Sequence, residues 1–330
     1  KDNQGYDIIA VWVYDFLIVL TDSERLHRTK QEIANDWEST DLGKPKLLLG
    51  VQMERDIKTM SIKTYQKQYI LKILRRFKMG DCTPVSTPLP PGATFMPSGN
   101  DESFEDTTIY RAAIGSLMFA LITTRLDIAY ATNLMLQFNG APAKKHWNEV
   151  KHILPNLKET METGITFDKN NHHEPYFTLT AYSDADNGKG HDRKSISGSV
   201  ITVAGGAVKW TAEKQRLVTV STSESEYVAA NLTGRDCLFL RDIMEELGFI
   251  HKELIPLFMD SDGAIALTEN PENMRATLHI DKVYHWIRQH VEDGTSSPEF
   301  IPGRENPADI ISKSLDRATV DRHKKIIAVF

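Results

Sequence analysis

The chain has 330 residues, of which 41% are hydrophobic and 25% charged, so it is globular in composition and long enough for two or three hydrophobic cores. A formal net charge of -6 argues against a uniformly basic nucleic-acid-binding protein, although it leaves room for a local basic groove. With only Cys82 and Cys237, the chain supports neither a disulfide framework nor a cysteine-rich zinc site, and a reducing intracellular compartment is expected.

The N-terminal stretch VWVYDFLIV, residues 11–19, is an apolar run interrupted by Tyr14 and Asp15. The wider apolar stretch, residues 8–20, is shorter than a membrane span, and no signal peptide precedes it. No association with a membrane is therefore expected, and the abrupt, strand-like start suggests a fragment of a longer protein. Asp15 is either a turn residue between two strands or the remaining member of a metal-binding pair of carboxylates.

A basic amphipathic helix is predicted at QKQYILKILRRFKMGD, because apolar residues recur at helical spacing and Gly80 provides a stop. Its polar face carries Lys72, Arg75 and Arg76. This face is either a solvated charged surface or a contact for the phosphate backbone of a nucleic acid.

A compositional boundary follows the basic helix. The stretch TPVSTPLPPG is rich in proline, and acidic, small and polar residues come after it, which together predict an exposed linker over residues 83–107. Two or three mostly apolar helices then predict a connection over residues 108–170. Pro155 lies within the second helical pattern and is expected to break or kink it, since proline lacks the N–H and clashes with the preceding turn.

From Pro175 onward, short strand patterns alternate with turn residues. The order is three strands, a long helix, a strand, helices, a strand and a final helix. This order predicts a mixed sheet with helices packed on its faces. The fold class of the whole chain is therefore α/β, with an α+β multi-domain organisation.

Four acidic residues fall where this order of elements would bring them together. Any one of them alone would be typical of a helix cap or of a solvent-facing position. Four carboxylates at one end of a sheet repel each other unless a cation neutralises them, and such an oxygen cluster selects Mg²⁺ or Mn²⁺. Two such ions about 4 Å apart can support an in-line phosphoryl displacement, so the pattern predicts phosphodiester hydrolysis. The four are Asp184 at the end of the first strand, Glu226 near the start of the long helix, Asp260 at the end of the fourth strand and Asp309 at the start of the last helix.

Several motifs are colinear with one known family. In the C-terminal half they are YSDADNGKGH, SESEYVAA, LFMDSDGAIALTENP and FIPGRENPADIISKSL, and upstream they are LGKPKLLLGVQMERD and HWNEVKHILPNLKET. Together they resemble the C-terminal part of Ty1/copia-type retrotransposon polyproteins. The matching parts are the palm end, thumb and connection of a reverse transcriptase, followed by a ribonuclease H (RNase H) domain. The resemblance covers essentially the whole chain. It divides the chain into a palm end and thumb helix at 1–82, a linker at 83–107, a helical connection at 108–170 and an RNase H-like domain at 171–330.

The resemblance implies a type I RNase H fold that cuts the RNA strand of an RNA–DNA hybrid. It also implies that two Mg²⁺ or Mn²⁺ ions are bound by the four carboxylates, Asp184, Glu226, Asp260 and Asp309. Glu224 is a rival to Glu226 because both lie in SESEY. Glu226 is preferred, since it precedes the YVAA that matches the family register.

Further side chains are candidates for lesser roles. Some related nucleases carry a mobile histidine shortly before the last carboxylate, but none lies between Ser297 and Asp309. His279 and His285 lie further back on a predicted helix and are expected to be structural. The stretch DRKSISG is either a polar hairpin turn or a holder of substrate phosphates. Its candidate phosphate-binding residues are Arg193, Lys194, Ser195 and Ser197.

The N-terminal hairpin departs from the family, which reads close to V-Y-V-D-D-L-L-I there. Aligned with it, this chain has Trp12 at the tyrosine and Tyr14 at the first aspartate, and keeps only Asp15. A phenol with a pKa of about 10 cannot replace a carboxylate ligand of Mg²⁺ at neutral pH. This departure from the family pattern therefore implies that polymerase activity is lost.

Three hypotheses follow from these observations. The leading one is a metal-dependent RNase H carried on a truncated, polymerase-inactive reverse-transcriptase remnant. The alternative is a catalytically inactive scaffold that binds nucleic acid or protein, which carboxylates splayed apart or salt-bridged by a lysine would favour. The third is that a separate chain supplies the missing palm and restores polymerisation. Tyr14 argues against it, because it still occupies the position of a metal ligand. The oligomeric state is left open.

Overall fold

The computed structural model describes residues 7–93, 102–168, 178–186, 188, 192–249, 253–269 and 285–330. Within these ranges the chain forms a two-stranded hairpin, a four-stranded sheet, a group of helices and a five-stranded mixed sheet. The predicted α/β fold class is therefore confirmed. No helix in these ranges combines the length and the apolar composition needed to cross a membrane.

The first two strands form a hairpin around Tyr14. They pair antiparallel with Trp12 opposite Asp15, so Val13 and Tyr14 make the two-residue turn. Tyr14 is 91% exposed at the tip. Asp15 is the first residue of the second strand and lies directly beside the turn. The elements of this region are β1 (Asp7–Trp12), β2 (Asp15–Leu20) and α1 (Ser23–Asp36).

The predicted basic helix forms and packs its apolar face on the core. Ile70, Ile73 and Leu74 are buried at the three- and four-residue spacing of one helix face. The helix ends at Arg76, before the predicted stop at Gly80. The elements of this region are β3 (Leu47–Leu48), β4 (Val51–Asp56), β5 (Ser61–Tyr65) and α2 (Lys67–Arg76).

The described part of the predicted linker is anchored to the protein. Residues 83–93 lie mostly at the surface, but Leu89 is buried in the hydrophobic core. The hydroxyl of Ser314 donates a hydrogen bond to the carbonyl of Pro90 at 2.7 Å. The segment is thus held against the C-terminal half. Residues 94–101 of the predicted linker lie outside the described ranges.

The helix that contains Pro155 runs through it without interruption, so the expected break is wrong. Ile153, Leu154 and Leu157 of this helix are buried in the core, and this burial outweighs the hydrogen bond that proline removes. The elements of this region are α3 (Thr107–Thr123), α4 (Ala129–Leu136), α5 (Lys144–Glu159) and β6 (Gly164–Asp168).

The C-terminal half contains the mixed sheet that the strand patterns predict. Its elements are β7 (Thr180–Ala185), β8 (Ile196–Val203), β9 (Gly206–Lys214), α6 (Thr222–Glu246), β10 (Ile255–Met259), α7 (Asp262–Glu269), α8 (Trp286–Glu292), β11 (Ser296–Phe300), α9 (Asp309–Ser312) and α10 (Arg317–Ile326). The strand order across the sheet is β11-β10-β7-β8-β9. β10 is parallel to both of its neighbours, and the other pairs are antiparallel.

Two buried hydrophobic clusters contain neighbouring residues of β8. Ile201 belongs to the cluster that includes Tyr227 of α6, whereas Val200 belongs to the cluster that includes Ile310 of α9. This alternation is the period of two expected of a strand buried on both faces. The second cluster continues into α2, α3, α4 and α5, and therefore joins residues on both sides of the predicted boundary at 170/171. The four-part domain division itself remains a prediction.

β6 connects the two halves of the chain. On one edge it pairs antiparallel with β5. On the other edge its backbone forms hydrogen bonds with the last residues of the chain. The Gly164 N–H donates to the carbonyl of Phe330 at 2.7 Å, and the Thr166 N–H donates to that of Ala328 at 2.8 Å. A Cβ at Gly164 would lie 2.1 Å from the carbonyl oxygen of Thr64, so this close pairing requires glycine.

Candidate metal centre

Three elements bring Asp184, Glu226 and Asp260 to one end of the mixed sheet. Asp184 lies near the C-terminal end of β7, and Asp260 directly follows β10. Because β7 and β10 are parallel neighbours, their carboxyl ends lie side by side. Glu226 lies near the start of α6, which packs on β7.

The three carboxylates form a compact cluster. One oxygen from each lies within 4.8 Å of the others, and we call these residues the carboxylate cluster. Asp184 and Glu226 are 0% and 2% exposed, and Asp260 is half-buried. The Oε2 atom of Glu226 is buried without a hydrogen-bond partner. Converging carboxylates with an unpartnered oxygen are a donor set for a hard cation, so these residues fit one Mg²⁺ or Mn²⁺ ion.

The electrostatics of the cluster favour a cation. Burial, reinforced by the charges of Asp184 and Asp260, raises the pKa of Glu226 to about 9. Burial and the charge of Asp184 also raise the pKa of Asp260 above its ordinary value. Full ionisation of the metal-free cluster is therefore unfavourable, and a positive charge placed among the oxygens would relieve the repulsion.

The fourth predicted carboxylate, Asp309, lies outside this cluster and pairs with Lys313. Nζ of Lys313 lies 2.7 Å from Oδ1 of Asp309 and 2.8 Å from Oδ1 of Asp184. The hydroxyl of Ser312 donates a hydrogen bond to the other carboxylate oxygen of Asp184. Lys313 thus joins the fourth carboxylate to the cluster through one ammonium group.

The pair of Asp309 and Lys313 has shifted pKa values as well. Burial and the charge of Asp184 raise the pKa of Asp309 to about 7. Burial by itself would lower the pKa of Lys313. The charges of the Asp184 and Asp309 carboxylates have the larger effect, so the pKa of Lys313 lies above the ordinary lysine value. Lys313 is therefore a cation at neutral pH.

Asn306 positions the loop before α9. It is fully buried, its side-chain amide donates to the carbonyl of Ser183 at 2.8 Å, and its oxygen accepts from the Ala308 N–H at 3.1 Å. These bonds attach the start of α9 to β7 beside Asp184. The sequence reasoning missed Asn306, because an asparagine followed by a proline is typical of any turn.

Gly303 and Lys313 were also missed. A Cβ at Gly303 would lie 2.8 Å from Oδ2 of Asp260, so the loop after β11 presses directly on this carboxylate. No sequence signal distinguishes this glycine from an ordinary turn residue. Lys313 did have a signal, because it follows Asp309 by four residues, the spacing of an ion pair on a helix.

Glu224, the rival of Glu226, lies in the first turn of α6, whose N-cap is Ser221. Its carboxylate accepts a hydrogen bond from the Val220 N–H at 2.9 Å, and it does not belong to the carboxylate cluster. The geometry therefore favours Glu226 as the ligand.

The candidate nucleic-acid-binding residues of α2 are accessible. Lys72, Arg75 and Arg76 are exposed on the face opposite the buried residues of the helix. They are therefore free of the core and available to a phosphate backbone.

The side chains of the DRKSISG stretch differ in their exposure to solvent. Arg193 is exposed and Lys194 is half-buried, whereas Ser195 and Ser197 are 1% and 3% exposed. The side-chain amide of Gln215 donates to the hydroxyl of Ser197 at 3.0 Å. The basic side chains are thus accessible to a ligand, while the serine side chains are enclosed by the protein.

Of the remaining candidates, His285 and Asp15 are not members of the carboxylate cluster. The Nδ1 atom of His285 lies 3.0 Å from the hydroxyl of Tyr227, a contact that suits a structural role. His279 lies outside the described ranges. Across the part of the chain that the structure describes, the carboxylate cluster is the one group of three or more candidate metal ligands, and Asp15 is not in it.

A mixed sheet with carboxylates converging at the ends of its parallel strands defines an α/β protein with a candidate metal centre. The sequence profile of the family described as reverse transcriptase (RNA-dependent DNA polymerase) matches residues 1–91. The chain is 34% identical, over 99% of its length, to the retrovirus-related Pol polyprotein from transposon TNT 1-94 of Nicotiana tabacum, and covers 25% of that protein. It is 31% identical, again over 99% of its length, to the Pol polyprotein from transposon RE1 of Arabidopsis thaliana, and covers 22% of it.

Over 99% of its length the chain is therefore similar to Ty1/copia-type retrotransposon Pol polyproteins, as its motifs predict. It spans about a quarter of the length of these two relatives. Among solved structures it is similar to the N-terminal RNase H domain of a Mycobacterium tuberculosis protein. That likeness has 14% identity and a TM-score of 0.29, and covers 45% of this chain and 97% of that domain. Because the TM-score is this low, the assignment of the fold rests on the strand order described above and not on this likeness.

Proposed function

We propose that the C-terminal half of this chain is a metal-dependent RNase H that hydrolyses the RNA strand of RNA–DNA hybrids. The observation that carries the proposal is the convergence of Asp184, Glu226 and Asp260 at the carboxyl ends of β7 and β10, with an unpartnered buried oxygen on Glu226. Similarity to retrotransposon Pol polyproteins supports the choice of substrate, since such a hybrid is the product of reverse transcription.

In this proposal the carboxylate cluster holds a divalent cation. A bound Mg²⁺ or Mn²⁺ ion supplies a Lewis acid for a phosphate oxygen and lowers the pKa of a coordinated water. The protein supplies the rigid donor set, because Asp184 is fixed in a strand and Glu226 in a helix packed against that strand. The family resemblance implies two ions, whereas the cluster fits one, and the ammonium of Lys313 lies at the fourth carboxylate.

The substrate would be held by basic side chains outside the cluster. Lys72, Arg75 and Arg76 on α2, with Arg193 and Lys194 beside β8, give local positive charge to an acidic chain. We place the protein in an intracellular compartment, which suits its free cysteines, one half-buried and one buried.

A cleavage assay tests the proposal. A hybrid with labelled RNA should be cut in Mg²⁺ or Mn²⁺, and Asp260→Asn should remove the cleavage because it removes a ligand. Asp262→Asn is the matched control, since Asp262 is exposed two residues away and lies outside the cluster. A folded wild-type protein that leaves the hybrid intact in both metals would refute the enzyme assignment.

We also propose that the N-terminal segment is inactive as a polymerase. Tyr14 lies exposed at the hairpin tip where the family resemblance implies an aspartate. Primer extension on an RNA template should give no incorporation, with or without a candidate partner chain. Robust incorporation would contradict this proposal.

One observation favours the second candidate, a non-catalytic scaffold for nucleic acid or protein. Lys313 pairs with two of the four predicted ligands, Asp184 and Asp309. The pairing leaves Asp184 within reach of Glu226 and Asp260, so it does not dismantle the cluster. Binding of the hybrid without cleavage, measured by fluorescence anisotropy in both metals, would support the scaffold.

A further inference from the structure

Lys313 lies between two of the four predicted metal ligands, Asp184 and Asp309. Its Nζ lies 2.8 Å from Asp184 and 2.7 Å from Asp309, so one ammonium serves both carboxylates. Asp184 also belongs to the carboxylate cluster. A second divalent ion, placed to engage Asp309, would have to share Asp184 with the first.

We propose that Lys313 is a built-in cation, whose ammonium replaces a second divalent ion between Asp184 and Asp309, so that the site binds one divalent ion. The proposal rests on the proposed function for the first ion. It assigns Lys313 as a positioning residue that fixes Asp184 and Asp309 and supplies a permanent positive charge beside the cluster.

In the observed conformation, the ammonium of Lys313 occupies the gap between Asp184 and Asp309. Mg²⁺ takes its oxygen ligands at about 2.0–2.1 Å in a strict octahedral arrangement. An ion bound to the same Oδ1 atoms of Asp184 and Asp309 would overlap the ammonium of Lys313, which already lies within hydrogen-bonding distance of both. The two like charges would also repel each other strongly at such a separation.

The packing of α9 fixes the backbone from which the Lys313 side chain extends. A Cβ at Gly198 of β8 would lie 3.0 Å from the carbonyl oxygen of Ala308, so α9 rests closely on the sheet. The Lys313 N–H donates to the carbonyl of Asp309 at 3.0 Å, and Ser312 contacts the second oxygen of Asp184. With 28% of its side chain exposed, Lys313 is more enclosed than a typical surface lysine.

The count of bound ions tests the proposal without any need for activity. Free Mn²⁺ is measured by electron paramagnetic resonance during titration of the metal-free protein at pH 8. Wild type should bind one ion, Lys313→Met should bind two, and Lys313→Arg, which keeps the charge, should bind one. Lys325→Met is the matched control, since Lys325 is an exposed lysine of α10, and it should bind one.

The count is repeated with a hybrid whose RNA strand carries 2′-methoxy groups, because a substrate phosphate adds a ligand. Ions bound by the hybrid alone are subtracted, and wild type should still bind one. Circular dichroism establishes that each variant is folded, and Lys313→Gln replaces Lys313→Met if the latter fails to fold.

The outcomes separate this proposal from the function on which it rests. Two ions on wild type would overturn the role of Lys313 and leave the metal-dependent nuclease intact. No ion on wild type would overturn the metal centre itself. A folded Lys313→Met or Lys313→Gln protein that binds one ion would show that the lysine does not replace the second ion.

Discussion

Glu226 shows what burial beside other carboxylates does to the pKa of a carboxyl group. Its pKa of about 9 in the folded, metal-free protein lies above the ordinary value of 4.5. The folded state therefore binds the proton more tightly than the unfolded state. The contribution of Glu226 to stability is fully present below about pH 4.5 and is lost as the pH rises through about 9.

This shift predicts a pH-dependent effect of Glu226→Gln. In EDTA the variant and wild type should have similar free energies of unfolding at pH 4, where Glu226 is mostly protonated in both the folded and the unfolded state. At pH 9 the variant should be more stable by at least about 1.4 kcal/mol, the equivalent of one pKa unit. Urea unfolding at both pH values measures the difference.

Glu245→Gln is the control, because Glu245 is an exposed residue of the same helix, α6. Its difference from wild type should be the same at pH 4 and pH 9. A Glu226→Gln protein that is equally or less stable than wild type at pH 9 would mean that the carboxylate is ionised without penalty.

The raised pKa values of the site also predict that metal affinity increases with pH. Glu226, with a pKa of about 9, holds a proton near neutral pH, and a bound cation displaces protons from its ligands. The affinity for Mn²⁺ should rise between pH 6 and pH 9. Calorimetry in two buffers of different ionisation enthalpy should detect released protons, and a pH-independent affinity without proton release would contradict the prediction.

At the scale of single elements, the loop between β11 and α9 controls the geometry of the cluster. Asn306 attaches this loop to β7, and Gly303 approaches Asp260 so closely that no side chain fits between them. The loop therefore restricts the orientation of the Asp260 carboxylate by direct steric contact.

Gly303→Ala should weaken metal binding without unfolding the protein. The added methyl group would displace the Asp260 carboxylate, and the Kd for Mn²⁺ should rise by roughly 10-fold, as when a group supporting a metal ligand is lost. Gly80→Ala is the control, because a Cβ at Gly80 meets nothing within 4 Å. Equal Kd values for the two variants would show that the loop does not restrain Asp260.

The elements also show where sequence reasoning succeeds. The basic helix and the order of strands were predicted because periodicity reports which face of an element is buried. The break at Pro155 was wrong because the penalty for proline is local, whereas Ile153 and Leu157 gain burial from distant elements. The close approach of Gly303 to Asp260 could not be predicted, since it arises from how a loop packs.

At the scale of the whole molecule, a buried ionic network joins the helical connection to the C-terminal helix. The guanidinium of Arg125 donates to both oxygens of Asp127 at 2.8 and 2.9 Å. Nζ of Lys324, on α10, lies 2.9 Å from Asp127. Burial alone would raise the pKa of Asp127, but the charges of Arg125 and Lys324 outweigh it and hold that pKa far below its usual range.

Asp127→Asn should therefore destabilise the protein by about 3–5 kcal/mol, because it leaves the fully buried Arg125 uncompensated. The depressed pKa means that wild type keeps this stability above about pH 4 and loses it only as the pH falls well below that value. Asp321→Asn, at an exposed position of α10, should change the free energy of unfolding by less than about 0.5 kcal/mol. Urea unfolding at pH 7 compares them, and equal stabilities would refute the importance of the network.

This network could not be predicted from the sequence. Asp184, Glu226 and Asp260 follow from strand ends and a helix start, which local patterns reveal. Asp127 and Lys324, in contrast, come from segments that the family resemblance assigns to different parts of the protein. Their pairing depends on long-range packing, which no periodicity encodes.

The pairing of β5 with β6 has a consequence for the order in which the protein folds. Thr64 and Ile165, which meet across these strands, are 101 residues apart in the chain. A ribosome releases β5 several seconds before β6, at about 5–20 residues per second. During that interval β5 has an open edge, which is a template for association with other chains. Synthesis of this protein therefore includes a period of exposure to aggregation, and slower translation would lengthen it.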